Sequence, residues 1–487
     1  MAYKNGNREQ ITLLPDSVDD YVHDEDPVRA YDAFIDCLDL DKLGISIDSN
    51  LVGNSSYHPK TMLKILVYAY SYGWRSSRKI ERALHHNLSF IWLAGGLKPA
   101  FKTIANFRKN NKETLKQVFV HCARLAMKLN LIEGNTLFTD GSKFRANAGN
   151  RESRSIETWT NYKKHVEVNI VRLLEESSSI DEADTGSLVK IGKELKSSQK
   201  LANKISSLLK EFEKQDDSSV RFSNGGKRIN GTDPDCKILK SRQGSHAAYN
   251  VQSTTDLQFG LIVALEGSSS RNDMNELATQ VAIAEKNMDK DCETICADSG
   301  YSSINDLAEL DLQGKNVIVP TTKQVEKDKI ANPFSKDNFQ YQSKSDTYIC
   351  PEGKELYRSS NKPNKDGRLD YRIKDKTNCL TCMHFGTCTT SNQGRRINMS
   401  VHQKTKKKLE DVYSGNWGQS VYNQRKNIAE LPFGHFKRNL GMNAFLLRGM
   451  KGINAELGIV GTCFNLARMI TLLGGVRPLI AKFQEIR

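Results

Sequence analysis

The chain carries no long hydrophobic run. Its longest apolar stretch, near Leu457–Leu473, is broken by Asn465 and Arg468 and is too short to span a bilayer, so it reads as a buried helix and no membrane is expected. The opening Met1-Ala2-Tyr3-Lys4-Asn5-Gly6 lacks the apolar segment of a secretory signal. Ten cysteines without such a signal point to a reducing, cytoplasmic setting, where a cysteine cluster suggests metal rather than disulfides. Only 11 prolines and 33 glycines occur in 487 residues, which excludes collagen-like and low-complexity chains. No glycine-rich Walker loop is present, so no nucleotide cofactor is expected. What remains, 38% hydrophobic and 26% charged, is an ordinary globular composition long enough for two to four domains.

Charge is unevenly spread. The net charge is +14, yet residues 1–60 hold twelve acids against five Lys and Arg, so the rest of the chain carries about +21. A basic body of this size suits a polyanion, most simply nucleic acid; solubility alone is the plainer reading.

Along the chain the apolar period changes several times. An acidic lead-in, with a helical middle around Arg29–Leu43, gives way at His58-Pro59 to helix-spaced Met62, Ile65, Leu66, Tyr68 and Ala69. Helices are expected at Arg78–His85, Asn87–Leu93 and Thr103–Leu129, and the block carries Arg75, Arg78, Lys79, Arg82, Lys98, Lys102, Arg108 and Lys109, which suits either DNA contact or a solvated helical support. His85, His86 and His121 read as surface or satisfied core. Thr136–Gly141 reads as a strand ending at Asp140. Between 150 and 243, Val166, Ile170, Leu173 and Leu174, then Leu188, Ile191 and Leu195, then Leu201, Ile205, Leu208 and Leu209 predict a helical hairpin turning at Ser177–Gly186.

From Gly244 the pattern becomes strand-like. Ala247–Gln252 and Gly260–Leu265 read as strands joined at Thr254-Thr255-Asp256. A helix follows from Asn275 to Lys286, then a buried strand Thr294–Ala297 ending at Asp298, a helix over Ile304–Leu312 and a strand at Asn316–Val319. Strands alternating with helices at this spacing predict an α/β sheet. Residues 321–420 form a second polar insertion, and helix returns over Val421–Lys437, with Pro432 as a kink, and over Glu456–Leu473.

The chemistry gathers on three acids. Asp140 and Asp298 end separate strands of one sheet, where α/β proteins collect ligands. Asp before Gly is also a common turn pair. Glu430 lies in a late helix among Arg425, Lys426, His435, Lys437 and Arg438, and no other acid occurs between Asp411 and Glu456. Three carboxylates brought together need cations, and Mg²⁺ suits a few carboxylates plus phosphate and water. A pair of such ions about 4 Å apart can activate a water or 3′-hydroxyl and stabilise a leaving phosphodiester oxygen.

These residues resemble a family, the bacterial insertion-sequence transposases of the DDE type. The likeness extends over nearly the whole chain. Thr139-Asp140-Gly141-Ser142-Lys143 is similar to the first-Asp motif and Ala297-Asp298-Ser299-Gly300-Tyr301 to the second. Asp233-Pro234-Asp235 and Ala248–Gln252 resemble the block after the first insertion. Tyr422-Asn423-Gln424-Arg425 with Glu430, Phe433-Gly434, Lys437-Arg438 and Phe445–Gly449 resembles the Tyr–Arg–Glu–Lys signature; four residues separate Arg425 from Glu430 here, where three are commonest.

The resemblance implies a ribonuclease-H-like α/β core of mixed sheet (131–149, 244–320 and 421–487). To it are added an N-terminal helical, DNA-binding domain (1–130), a helical-hairpin insertion (150–243) and a cysteine-containing insertion (321–420). It implies that Asp140, Asp298 and Glu430 hold two Mg²⁺ ions, with Mn²⁺ as a substitute, and that Glu456 is the runner-up third ligand. Tyr422, Arg425, Lys437, Arg438 and Arg448 would contact transposon-end DNA, and Lys143 and Arg145 would face the scissile phosphate. The implied reaction is hydrolysis that exposes a 3′-hydroxyl and its attack on target DNA, on double-stranded terminal inverted repeats and target, by a homodimer at the nucleoid. A DNA-binding descendant without activity and a nuclease on the same fold stand as alternatives; the presence of all three acids favours activity.

The second insertion adds Cys379-x-x-Cys382, Cys388 and Cys350 within 39 residues, a spacing close to a four-thiolate structural Zn²⁺ site; reduced, unligated thiols are the alternative. Cys292 and Cys296 read as core. Lys404–Lys408 could touch DNA or be a solvated run.

Overall fold

Asp26-Pro27 and His58-Pro59 each begin a helix for the same reason. A side-chain acceptor captures a free N–H of the first turn (Asp26 from Val28, His58 from Lys60), and proline follows where no N–H is needed. A computed structural model describes residues 17–45, 56–179, 185–214, 228–241, 244–325, 333–342, 344–360, 362–364 and 367–486. Helix α1 (Pro27–Asp36) ends earlier than its apolar pattern suggests. The Asp39 carboxylate accepts the N–H groups of Asp41 and Lys42 and so makes a turn instead. Next come α2 (Pro59–Ser71), α3 (Ser77–His86) and α4 (Leu88–Leu93). The single helix expected over Thr103–Leu129 is two, α5 (Phe101–Asn110) and α6 (Lys112–Lys128). They part at Asn111, whose backbone leaves the helical region and whose side chain returns to the Phe107 carbonyl at 2.8 Å.

Strand β1 (Thr136–Arg145) opens the sheet. Short β2 (Ser153–Ser155) leads into the segment expected as a helical insertion, where α7 (Ile156–Ser179) and α8 (Thr185–Lys214) pack as a hairpin before β3 (Arg228–Asn230) pairs back with β2. The expected turn at Ser177–Gly186 falls partly outside the described residues. The hairpin has its own small core of Trp159, Val166, Ile205, Leu208 and Ile229.

The main sheet is completed by β4 (Lys237–Ser241), β5 (Gly244–Asp256), β6 (Ile262–Ser268), β7 (Thr294–Ala297) and β8 (Asn316–Ile318), with α9 (Leu277–Met288) before β7 and α10 (Ile304–Leu312) before β8. Its order is β4-β5-β1-β7-β8, and β6 lies beside β4 on the outer edge of β5. The β1–β5 and β5–β6 pairs are antiparallel; β1–β7 and β7–β8 are parallel. This mixed α/β arrangement is consistent with a ribonuclease-H-like core. The residues Thr254-Thr255-Asp256, expected as a turn, are strand, and β5 turns only at Leu257–Leu261.

The segment 321–420, expected as a polar insertion, is not merely polar. After α11 (Thr322–Val325) come β9 (Gln340–Gln342), β10 (Thr347–Ile349), β11 (Glu355–Arg358), β12 (Arg368–Ile373), α12 (Thr377–Leu380) and β13 (Arg396–Ser400). The five strands form an antiparallel sheet in the order β13-β12-β11-β10-β9 over Phe339, Tyr348, Leu356, Tyr371, Ile397 and Met399. Helices α13 (Gln403–Ser414), α14 (Asn416–Ile428), α15 (Leu431–Gly434), α16 (Met450–Leu472) and α17 (Val476–Ile486) finish the chain.

One apolar core unites Phe34 of α1, Leu66 of α2, Leu115 of α6, Val263 of β6, Ile295 of β7 and Leu457 of α16. Helix α16 has the length and hydropathy of a membrane span, but 72% of that window is buried inside the protein. Asn465, fully buried in α16, accepts the Ile262 N–H and donates to the Ile262 carbonyl, both at 2.9 Å, so it completes the hydrogen bonding of β6 at its edge. Removing this amide leaves two buried backbone groups unpaired. Asn465→Ala is therefore expected to lower stability by about 2 kcal/mol, read from the urea-unfolding midpoint; an unchanged midpoint sinks the assignment.

Candidate active site

Asp140 is not at a strand end. Strand β1 continues through Gly141 to Arg145 because β5 pairs with it along that whole length, from Leu137↔Asp256 to Arg145↔Ala248. The parallel neighbour β7, however, stops at Thr139↔Ala297, one residue short of Asp140. That shortfall opens a notch in the sheet, and Asp298 follows immediately, at the start of a tight turn. Its Oδ1 accepts the Gly300 N–H at 2.8 Å, which fixes the side chain.

Glu430 comes from the opposite wall. Phe138, Cys296 and Ile318 of the sheet pack on Val421 and Ala429 of the α14 segment. In an uninterrupted helix Arg425 and Glu430 would diverge by about 140°. Instead α14 stops at Ile428 and α15 starts at Leu431, with Pro432 in its first turn. The backbone stays right-handed helical at Ala429 and Glu430 across this interruption, and the long Arg425 side chain reaches both acids: Nη1 lies 3.5 Å from Asp140 Oδ1 and Nη2 lies 3.7 Å from Glu430 Oε1. The expected kinked helix over Val421–Lys437 is thus α14, α15 and a π-helical turn at His435–Asn439.

Burial governs the electrostatics. The Asp140 side chain is 15% exposed, and burial lifts its carboxyl to about 7, with the Arg425 charge opposing and Asp298 adding to the rise. Burial also raises Asp298, against the Gly300 N–H and Arg425. Glu430 is half-exposed. One guanidinium among three acids leaves negative charge poorly neutralised, and the donors are all hard oxygens, a set that fits a divalent cation. As placed, the acids surround a guanidinium: among the described residues, no three His, Cys, Asp or Glu side chains form a group that could hold a metal ion.

The other expected site residues lie at differing removes from the acids. Tyr422 stacks edge-on against Tyr413, one turn from Arg425, and the Lys437 Nζ donates to Ser142 Oγ at 2.5 Å while lying over the Phe144 ring. Tyr422 is thus beside Arg425, and Lys437 beside β1 two residues along from Asp140. Arg438 is exposed on the π-helical turn. Lys143 and Arg145 are strand residues that line a groove with Lys240, His246 and Asn250, and the Lys143 Nζ donates to the Lys240 carbonyl. Arg448 lies apart, its Nε bonded to the Asn147 carbonyl at 2.9 Å.

Glu456, the alternative third acid, is elsewhere. It is fully buried, its Oε1 accepts the N–H groups of Leu446 and Leu447, and Arg75 lies 3.5 Å from Oε2. Asp233 and Asp235 likewise accept the N–H groups of Gly449 and Met450 at the start of α16. These three acids hold the Leu446–Met450 segment. Of the N-terminal bases, Arg108 is buried against Tyr70, Ser77 and the Arg75 carbonyl, so it and Arg75 are structural; Arg78, Lys79, Arg82, Lys98, Lys102 and Lys109 are exposed. Asp273, unremarked in the sequence, lines the groove beside the notch.

The four thiols Cys350, Cys379, Cys382 and Cys388 line one pocket with Phe334, His384 and Arg395. Backbone N–H groups of Lys354 and Arg395 donate to the Cys350 and Cys379 sulfurs, each at 3.3 Å. Burial raises the Cys388 thiol, and the other three thiols push the same way. The fold gathers them around one space without closing them into a metal-holding group.

Comparison with known families falls on both ends of the chain. Residues 16–110 match the model of a transposase domain (DUF772), and residues 349–470 match that of a transposase DDE domain. Searches of curated proteins and of solved structures each give no match. The second segment contains Tyr422, Arg425, Glu430 and Lys437; Asp140 and Asp298 lie outside both. These two domain matches support an insertion-sequence DDE transposase. The family implies DNA binding, an enzyme of nuclease or transferase type and the use of divalent metal ions.

Asp140 makes stability depend on pH. Between the ordinary 3.8 and about 7, the folded chain retains a proton that the unfolded chain has released, so this group withdraws stability as pH rises through that window. In chelator, Asp140→Asn is expected to melt above wild type by a margin that grows from pH 4 to pH 7, reaching a few degrees. A margin flat with pH refutes the raised carboxyl.

Proposed function

We propose that this transposase cuts double-stranded DNA at transposon ends and joins the freed 3′-hydroxyl to target DNA. The observation that carries the reading is the convergence of Asp140, Asp298 and Glu430, from two strands and a broken helix, on the one guanidinium of Arg425. The three acids would hold two Mg²⁺ ions, or Mn²⁺ in their place, which supply activation of the attacking oxygen and stabilisation of the leaving oxygen.

The chain's own residues do the rest. Arg425 holds the acids together and lies over the Tyr422 ring, so its positive charge stands ready for a DNA phosphate. Lys437 is drawn to the same place by Ser142, and burial depresses its ammonium despite the Asp140 charge, which strengthens its preference for an incoming anion. Lys143, Arg145 and Lys240 extend positive charge along the groove in the direction a strand would leave the notch.

The test is purified protein with Mg²⁺, a labelled terminal repeat and a target plasmid. Wild type is expected to cut and join, while Asp140→Ala, Asp298→Ala and Glu430→Ala each lose at least about a hundredfold in rate. Nicking without joining reduces the reading to a nuclease; equal cutting by Asp298→Ala sinks the acid assignment.

A second metal reading concerns the insertion. The shared pocket of Cys350, Cys379, Cys382 and Cys388, with N–H donors already on two sulfurs, supports a structural Zn²⁺. About one zinc per chain is expected on acid release, and much less from Cys379→Ser; protein expressed in zinc-replete medium yet free of zinc removes this reading.

A further inference from the structure

Asp273 lies in the loop between β6 and α9 and was not marked by any motif. Its Oδ1 accepts from Asn250 Nδ2 at 2.8 Å and from Gln252 Nε2 at 2.7 Å. Gln252 is itself fixed, because its other amide atom, Oε1, accepts the buried Tyr301 hydroxyl. The carboxylate is thus oriented by two neutral donors, and no cation pairs with it among the described residues. Its Oδ2 has no hydrogen-bond partner there either.

Two glycines make this position possible. Gly141 is opposite Gln252 in the β1–β5 ladder, and a Cβ at Gly141 would fall 2.3 Å from Asp273 Oδ1. Any side chain at the residue after Asp140 would displace Asp273. A Cβ at Gly300 would fall 2.8 Å from Asp298 Oδ1 and 3.4 Å from Asp273 Oδ2, so the two acids border one small space. Side chains alternate along a strand, so Asp273 comes to the notch from the face of β1 opposite Asp140 and α14. A carboxylate held still by neutral amides, beside a second carboxylate and with no cation paired to it among the described residues, is placed to take a divalent cation.

We propose that Asp273 is a fourth acid of the active site, its Oδ2 binding the divalent cation on the Asp298 side. Asn250 and Gln252 position it, and Gly141 and Gly300 leave the room. The inference rests on the metal reading of Asp140, Asp298 and Glu430, and it adds a residue from a segment outside both matched domains.

The test measures binding rather than turnover. Full-length wild type, Asp273→Asn, Asn250→Ala and Asp298→Asn are titrated with Mn²⁺, and the free ion is followed by electron paramagnetic resonance. Thermal melts confirm that each variant is folded. Asp273→Asn keeps an oxygen that can still accept from both amides, so a loss is not a packing defect. Wild type is expected to bind Mn²⁺, Asp273→Asn to bind it at least about tenfold more weakly, and Asn250→Ala to weaken it by a smaller factor. If Asp273→Asn binds as wild type does while Asp298→Asn fails, Asp273 is no ligand and the three-acid reading stands. If wild type binds no Mn²⁺ at millimolar concentration, the three-acid reading falls and this inference with it.

Discussion

A single buried helix decides how the rest of this chain can be arranged. Helix α16 is apolar on nearly every side, so it must be enclosed, and it is enclosed by α2 and α6 on one flank and by β6 on the other. Its polar residues then locate the sheet. Asn465 grips Ile262, and Asn454 takes the Gly267 N–H at 2.8 Å, so the edge strand is held at both ends. At its start, Asp235 and Asp233 take N–H groups of the first turn, and Glu456 takes those of the approaching loop. The N-terminal helices, the sheet and the loop bearing Arg448 are therefore fixed to one rod.

The site is the reverse case, where burial and charge oppose each other. At an effective dielectric of about 20, a contact near 4 Å is worth about 4 kcal/mol, so Arg425 offers strong attraction to Asp140. That attraction fails to hold the Asp140 carboxyl at its ordinary value: burial, raising it to about 7, is the larger effect, and Asp298 adds to it. A structure selected for stability alone would not keep partly neutralised acids at the floor of a notch. Their cost makes sense where a cation or a phosphate completes the set.

How much of this was legible in the sequence varied with the type of signal. Thr294–Ala297 ending at Asp298 was readable to the residue, because a four-residue buried strand followed by Ser-Gly leaves little else possible. Asp140 was located on the right strand with the wrong ending. Gly141 is ordinarily a stop signal, but here its missing side chain makes way for Asp273 while the ladder to β5 continues. Thr254-Thr255-Asp256 misled for a related reason: polar residues in a buried central strand resemble a turn until their partners are known, and Thr139 bonds Thr254 across the ladder. The five-strand sheet of the second insertion was missed because its strands are three to six residues long, too short for alternation to stand out from the surrounding Lys, Ser and Asn. Asp273 had no periodic signal, being in a loop. The only trace was indirect, two amides at Asn250 and Gln252 on one face of β5.

The additional residue between Arg425 and Glu430 falls where two helices meet. The other two acids are immobilised by their own backbones, Asp140 by ladders on β1 and Asp298 by its turn. Glu430 follows the point where α14 has ended and precedes α15, and its side chain is half-exposed where Asp140 is 15% exposed. Its position depends on two helix ends and on the buried Ala429, and its side chain makes no hydrogen bond to the sheet among the described residues. The same stretch runs directly into a π-helical turn that brings Lys437 back to Ser142. Glu430 and Lys437 thus share one segment, tied to β1 at its far end through Ser142. On the proposed reading, a phosphate arriving at that segment would act on Glu430 and Lys437 together, while Asp140 and Asp298 keep their places on the sheet side.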